Sequence, residues 1–94
     1  MRALVVDDSK PVRSIVTSVL RSLQFDCCEA GNGQEALESL AKGERPDLVT
    51  INWHMPVMDG IALVRSLRAE PRYRGCKLLM ISTEHAQERI AVAR

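Results

Sequence analysis

The sequence predicts an α/β fold, a doubly wound parallel sheet with helices on both faces. Three observations carry that expectation. Four short apolar or β-branched runs alternate with helical patterns along the chain. Three of the runs, at 3–6, 48–51 and 77–81, are continuous rather than alternating, as strands covered on both faces are. The length, 94 residues, suits one domain with one core. Repeated strand–helix units of this size imply right-handed crossovers between parallel strands.

The elements follow in order. The first strand is 3–6, Ala-Leu-Val-Val. The first helix places Val12, Ile15, Val16, Val19, Leu20 and Leu23 on one stripe of a 3.6-residue period. Ser9 is its candidate cap, and Pro11 in the first turn loses no intrahelical hydrogen bond. The second strand, 25–29, mixes Phe25 and Cys27 with Asp26 and Glu29 and reads as an edge. Gly31-Asn32-Gly33 makes the turn into a second helix at 34–41, with Ala36, Leu37 and Leu40 inward and Gly43 at its stop. After the third strand, a helix at 61–69 uses Ile61, Val64 and Leu67, and Pro71 lies just past its end. A fourth helix is expected from about His85 through Ile90, Ala91 and Ala93. No fifth strand follows it, so residues 1–94 read as one domain that is incomplete at its C-terminus.

Composition excludes several classes. The chain is 46% hydrophobic and 27% charged, which fits a globular protein and argues against disorder, collagen and coiled coil. No unbroken apolar run exceeds four residues, far short of a membrane span. The start, Met1-Arg2 and then four apolar residues, is too short for a signal peptide, so the cytoplasm is the expected compartment. Net charge is +1 and names no acidic partner. The second half carries the basic excess, at Arg65, Arg68, Arg72, Arg74 and Lys77, which reads as a solvated face. Cys27, Cys28 and Cys76 form no CxxC and accompany only two histidines. That pattern suits three buried thiols rather than a disulfide scaffold or a zinc site.

In such a sheet, ligands bind beyond the carboxyl ends of the strands. The polar residues there are Asp7-Asp8 after the first strand, Asn52 after the third and Ser82-Thr83 after the fourth. Two adjacent carboxylates resist sharing a small volume without a cation, and an oxygen-rich pair suits Mg²⁺. The same two residues also read as solvated helix-start acids, and spacing alone does not choose between these.

Beyond spacing, the chain resembles a response regulator receiver domain of the CheY-like, chemotaxis type. The resemblance rests on Asp7-Asp8-Ser9 with Arg13, on Pro46-Asp47-Leu48-Val49, on Met55-Pro56-Val57-Met58-Asp59-Gly60, and on Met80-Ile81-Ser82-Thr83-Glu84. It runs in order along the whole chain. It implies a flavodoxin-like, three-layer fold with strand order 2-1-3-4, the fifth strand and last helix being absent from the sequence. It also implies a module of a two-component phosphorelay. Such a receiver takes a phosphoryl group from a sensor histidine kinase or phosphotransfer protein onto an Asp at the end of strand three. Mg²⁺ assists, and the surface around the fourth helix then switches toward a downstream protein or effector domain. The metal positions fall on Asp7, Asp8, residue 52 and the backbone carbonyl of His54. The switch hydroxyl falls on Ser82. Membrane and direct nucleic-acid partners are not implied, while an exposed fourth strand makes a homodimer conceivable.

One departure governs the functional expectation. The acceptor position holds Asn52, not Asp. A neutral amide is a poor nucleophile and offers one acceptor oxygen without charge. Normal phosphorylation is therefore expected to fail, Mg²⁺ to bind more weakly, and repulsion around Asp7 and Asp8 to ease. Two readings stay open, an inactive receiver and a phosphorylation-independent pseudo-receiver that binds protein constitutively. An enzyme of phosphoryl chemistry would need a nucleophile that the crevice lacks. His54 and His85 are expected to play no catalytic part. A nucleotide site is not indicated, because no GxGxxG or GxxxxGK occurs.

Overall fold

In the computed structural model the chain runs β1 (Arg2–Val6), α1 (Lys10–Ser22), β2 (Asp26–Ala30), α2 (Gly33–Ala41), β3 (Leu48–Asn52), α3 (Gly60–Ala69), a 3₁₀ turn (Pro71–Tyr73), β4 (Lys77–Ile81) and β5 (Ile90–Ala93). Residues 1–52 and 60–81 are described in full, and 90–93 as backbone. One sheet has the order β2-β1-β3-β4-β5. Its first four strands are parallel, so the expected 2-1-3-4 core is present. Register pairs Val6 with Ile51, which brings the next residues of those chains, Asp7 and Asn52, to the same end of the sheet.

Side chains alternate across the sheet and divide the core in two. Leu4, Val6, Val49, Ile51, Leu78 and Met80 face α2 and α3, where they meet Ala36, Leu40, Leu63 and Leu67. Ala3 and Val5 point the other way, onto Leu20 of α1, with Val16, Phe25, Cys27 and Leu48 around them. Tyr73 closes the larger cluster and donates its hydroxyl to the Leu40 carbonyl at 3.2 Å.

Local sequence explains the helix ends. Ser9 caps α1 by accepting from the Val12 N–H at 3.3 Å, as its position predicts. Asn32 caps α2 through the Glu35 N–H at 2.9 Å, and Glu35 reaches back to the Gly31 N–H at 2.9 Å. In this variant of the capping box, one donor that the helix leaves unpaired, the Glu35 N–H, and the Gly31 N–H just before the cap are both satisfied. Gly43, at φ 113°, ends α2 where the sequence places the stop. At the end of α1 the equivalent left-handed position is filled by Gln24, at φ 72°. The Phe25 N–H returns to the Leu20 carbonyl and the Gln24 N–H to the Arg21 carbonyl, both at 3.0 Å, a Schellman arrangement without glycine.

Several expectations need correction. The fourth helix expected through Ile90, Ala91 and Ala93 is not formed there; Ile90–Ala93 is β5, antiparallel to β4. The physical reason is period. Ile-Ala-Val-Ala alternates a β-branched residue with alanine, and the outer edge of β4 offers unpaired N–H and C=O groups. The sheet thus has a fifth strand, and the β4 edge that suggested a homodimer is filled from Leu78 to Ile81. The α1 stripe is split as well. Val16 packs on the sheet and Leu20 is buried, while Ile15, Val19 and Leu23 are 65%, 55% and 62% exposed. Only Cys76 of the three thiols is buried; Cys27 and Cys28 are half-buried, one on each face of the sheet.

Candidate functional site

The site lies at the carboxyl ends of β1 and β3. Asp7 follows Val6 directly, and both Asp7 and Asn52 are 4% exposed. Asp8, one residue further, is exposed. The Asn52 amide nitrogen Nδ2 donates to Asp7 Oδ1 and to Asp8 Oδ1, each at 3.2 Å. The Ser9 main-chain N–H adds a bond to Asp7 Oδ1 at 2.8 Å. Asp7 is tied through its backbone too, its N–H donating to the Ala30 carbonyl at 3.1 Å.

Burial pushes the Asp7 carboxyl above its ordinary range, because removing a carboxylate from water disfavours its charged form. The bonds from Ser9 and Asn52 act in the opposite direction, and the charge of Asp8 adds to the rise. Burial is the largest of these effects.

Arg13 buttresses the corner. Its Nη1 donates to the Asp7 carbonyl at 2.6 Å and its Nε to Glu29 Oε1 at 3.0 Å. One guanidinium thus joins the end of β1, the first turn of α1 and the edge strand β2. Sequence reading noted Arg13 only as part of a resemblance and gave Glu29 no role. The available signal was the position of Arg13 one turn after the Ser9 cap, on the face that returns toward the strand end.

The arrangement brings together Asp7, Asp8 and Asn52, three of the residues singled out from sequence. Ser82, expected to be the switch hydroxyl, and His54, expected to lend its carbonyl, lie outside the described residues, as does His85. Among the described residues no group of three or more His, Cys, Asp or Glu side chains is placed to hold a metal. Asp7 and Asp8 present the oxygens a hard cation takes. Residue 52 does not complete that set as placed, since it turns N–H groups, not an oxygen, toward the acids. No helix among the described residues is long and apolar enough to cross a membrane.

Comparison with known proteins agrees with this fold. The chain is 37% identical to a chemotaxis protein CheY homolog of Campylobacter jejuni, over 99% of this chain and 72% of that protein. It is 40% identical to chemotaxis protein CheY-3 of Vibrio cholerae, with the same coverage. The structure of CheY4, a chemotaxis response regulator of V. cholerae, superposes with a TM-score of 0.80 at 33% identity, covering 93% of this chain and 72% of that one. A receiver domain of the sensor histidine kinase PA1611 from Pseudomonas aeruginosa, 25% identical with a TM-score of 0.79, covers 93% of this chain and 70% of its own; it is described with magnesium coordinated in the active-site cleft. Residues 3–94 match the response regulator receiver domain family, and the chain belongs to it.

Proposed function

We propose that this chain is a receiver module of a two-component phosphorelay whose acceptor position, Asn52, does not take a phosphoryl group. The observation that carries the reading is the pair of hydrogen bonds from Asn52 Nδ2 to Asp7 and Asp8. In a receiver the acceptor attacks phosphorus through a carboxylate oxygen, and catalysis consists mainly of positioning and charge neutralisation. Here the side chain at that place is uncharged and directs its N–H groups into the acids. Its nitrogen lone pair is delocalised into the amide, so neither amide atom matches a carboxylate as a nucleophile.

The remaining roles follow from the resemblance. Asp7, Asp8 and the carbonyl of His54 would hold Mg²⁺, which supplies charge neutralisation at the phosphoryl oxygens when bound. With Asn52 in place of a carboxylate, that binding is weaker. Ser82 would be the switch hydroxyl. The partners are a sensor histidine kinase or phosphotransfer protein on one side and a downstream protein or effector domain on the other, in the cytoplasm. The module works by binding rather than by turnover. A hydrogen-bonded acid pair that needs neither phosphate nor cation also supports the second reading, a pseudo-receiver that binds its partner constitutively.

The test is incubation with acetyl phosphate and Mg²⁺ followed by intact-mass measurement. The native chain is expected to stay unmodified, and the Asn52→Asp variant to gain one phosphoryl group. A phosphoryl adduct at the native Asn52 would overturn the reading. Partner capture that ignores acetyl phosphate would favour the constitutive module over the silent receiver.

A further inference from the structure

We infer that the Asn52 amide is a built-in substitute for a divalent cation: it holds Asp7 and Asp8 together in the metal-free chain, and any cation must displace it. The inference deepens the reading above and rests on it only in treating residue 52 as the acceptor position.

Two neighbouring carboxylates, one of them buried, meet at the end of β1. Like charges that close need neutralisation or donated hydrogen bonds. Arg13 does not supply it to the carboxylates, since its described bonds go to the Asp7 main-chain oxygen and to Glu29. Asn52 does: the partial positive charge of one NH₂ group sits between Asp7 Oδ1 and Asp8 Oδ1, 3.2 Å from each. Bonds from a neutral donor to a charged acceptor are among the stronger ones.

The orientation of the amide is dictated by its neighbours. Were Oδ1 turned toward the acids, three side-chain acceptors would meet with no side-chain donor among them, and the Ser9 N–H bond goes to Asp7 Oδ1, not to Asp8. The Nδ2-inward rotamer is thus the one the metal-free pocket favours. A cation that takes the same two oxygens must break both bonds and turn the amide over to present its oxygen. An Asp at this place would instead add a third carboxylate and leave the acids without the two Asn52 donors. The native pocket is therefore satisfied without metal, and a carboxylate at 52 would make its stability depend on metal.

The test is urea unfolding of the full chain, native and with Asn52→Asp or Asn52→Ala, each in a chelator and in millimolar Mg²⁺. The native midpoint is expected to be the same in both buffers. The Asn52→Asp midpoint is expected to fall by about 1 M urea in chelator and to recover with Mg²⁺. Asn52→Ala removes the donors without adding charge. It is expected to be less stable than native in chelator and to regain part of the loss with Mg²⁺, because nothing then competes for the acids. This variant decides the matter if Asn52→Asp does not fold. A native midpoint that rises with Mg²⁺ as much as that of Asn52→Ala, or an Asn52→Ala chain as stable as native in chelator, overturns the inference. Neither result bears on phosphorylation, and a phosphoryl adduct on native Asn52 would leave these melts unchanged, so the two readings fail separately.

Discussion

Single atoms decide the chemistry of this chain. Exchanging a carboxylate oxygen for an amide nitrogen at residue 52 removes a charge and a nucleophile, and adds two donors. The absence of the carboxylate is legible in the sequence; the direction of the amide is not, because it depends on which acids surround it in space. The cysteines show how burial acts on another titrating group. Burial pushes the Cys76 thiol up, with Arg68 pulling it down and Asp47 raising it further. A thiol whose pKa is raised by folding keeps its proton longer in the folded chain than in the unfolded one. Its contribution is fully present below the unfolded thiol value and is lost as pH rises through the folded one. Urea midpoints measured from neutral to alkaline pH are therefore expected to fall more steeply for the native chain than for Cys76→Ala. Cys76→Ala starts lower at neutral pH because it removes buried sulfur, so the slope is the readout and the starting value is not. Parallel slopes would show that Cys76 is not among the groups that couple folding to alkaline pH.

Among the elements, the two helix ends make a controlled comparison. α1 and α2 both close through a left-handed residue, Gln24 and Gly43. A non-glycine residue in that conformation costs roughly 1–2 kcal/mol. Glycine at Gln24 removes that strain but adds freedom to the unfolded chain, an opposing effect of about 0.4–1 kcal/mol. Gln24→Gly is thus expected to stabilise the chain by about 0.5–1 kcal/mol, read by urea unfolding, although glycine ordinarily weakens a helix. Gln24→Val should destabilise it, because a β-branched side chain tolerates that conformation least. This position also marks where sequence reading runs out. Gly43 announces its helix stop, whereas Gln24 carries no such signal, and only the returning bond from Phe25 to Leu20 reveals the turn. The continuous apolar runs of β1, β3 and β4 were readable because burial on both faces leaves a one-dimensional pattern. The Ile90–Ala93 segment was harder to read, since its two alanines suit a helix and its alternation with Ile90 and Val92 decides for a strand only beside the open edge of β4.

In the whole molecule the two faces of the sheet are unequal. Among the described residues, the side under α2 and α3 contains most of the fully buried side chains, and the side under α1 contains far fewer. The hydropathy stripe of α1 concealed this, because it counts apolar residues without asking how much of the stripe one helix can press onto two strands. Val16 and Leu20 meet the sheet, and Ile15, Val19 and Leu23 form a ridge that points away from it. Residues with the same hydropathy should therefore carry very different energies. Leu63 is fully buried between α3 and the sheet. Leu63→Ala is expected to cost about 2–5 kcal/mol, the lost transfer energy plus the cavity left behind. Ile15→Gln is expected to change stability by no more than about 0.5 kcal/mol, as a substitution that deletes no packed contact does. Both are read as urea midpoints on the 94-residue chain, with slopes compared to confirm that the unfolded state is unaltered. Equal losses at the two positions would mean that the α1 ridge is packed in solution, and the unequal division of the core would be wrong.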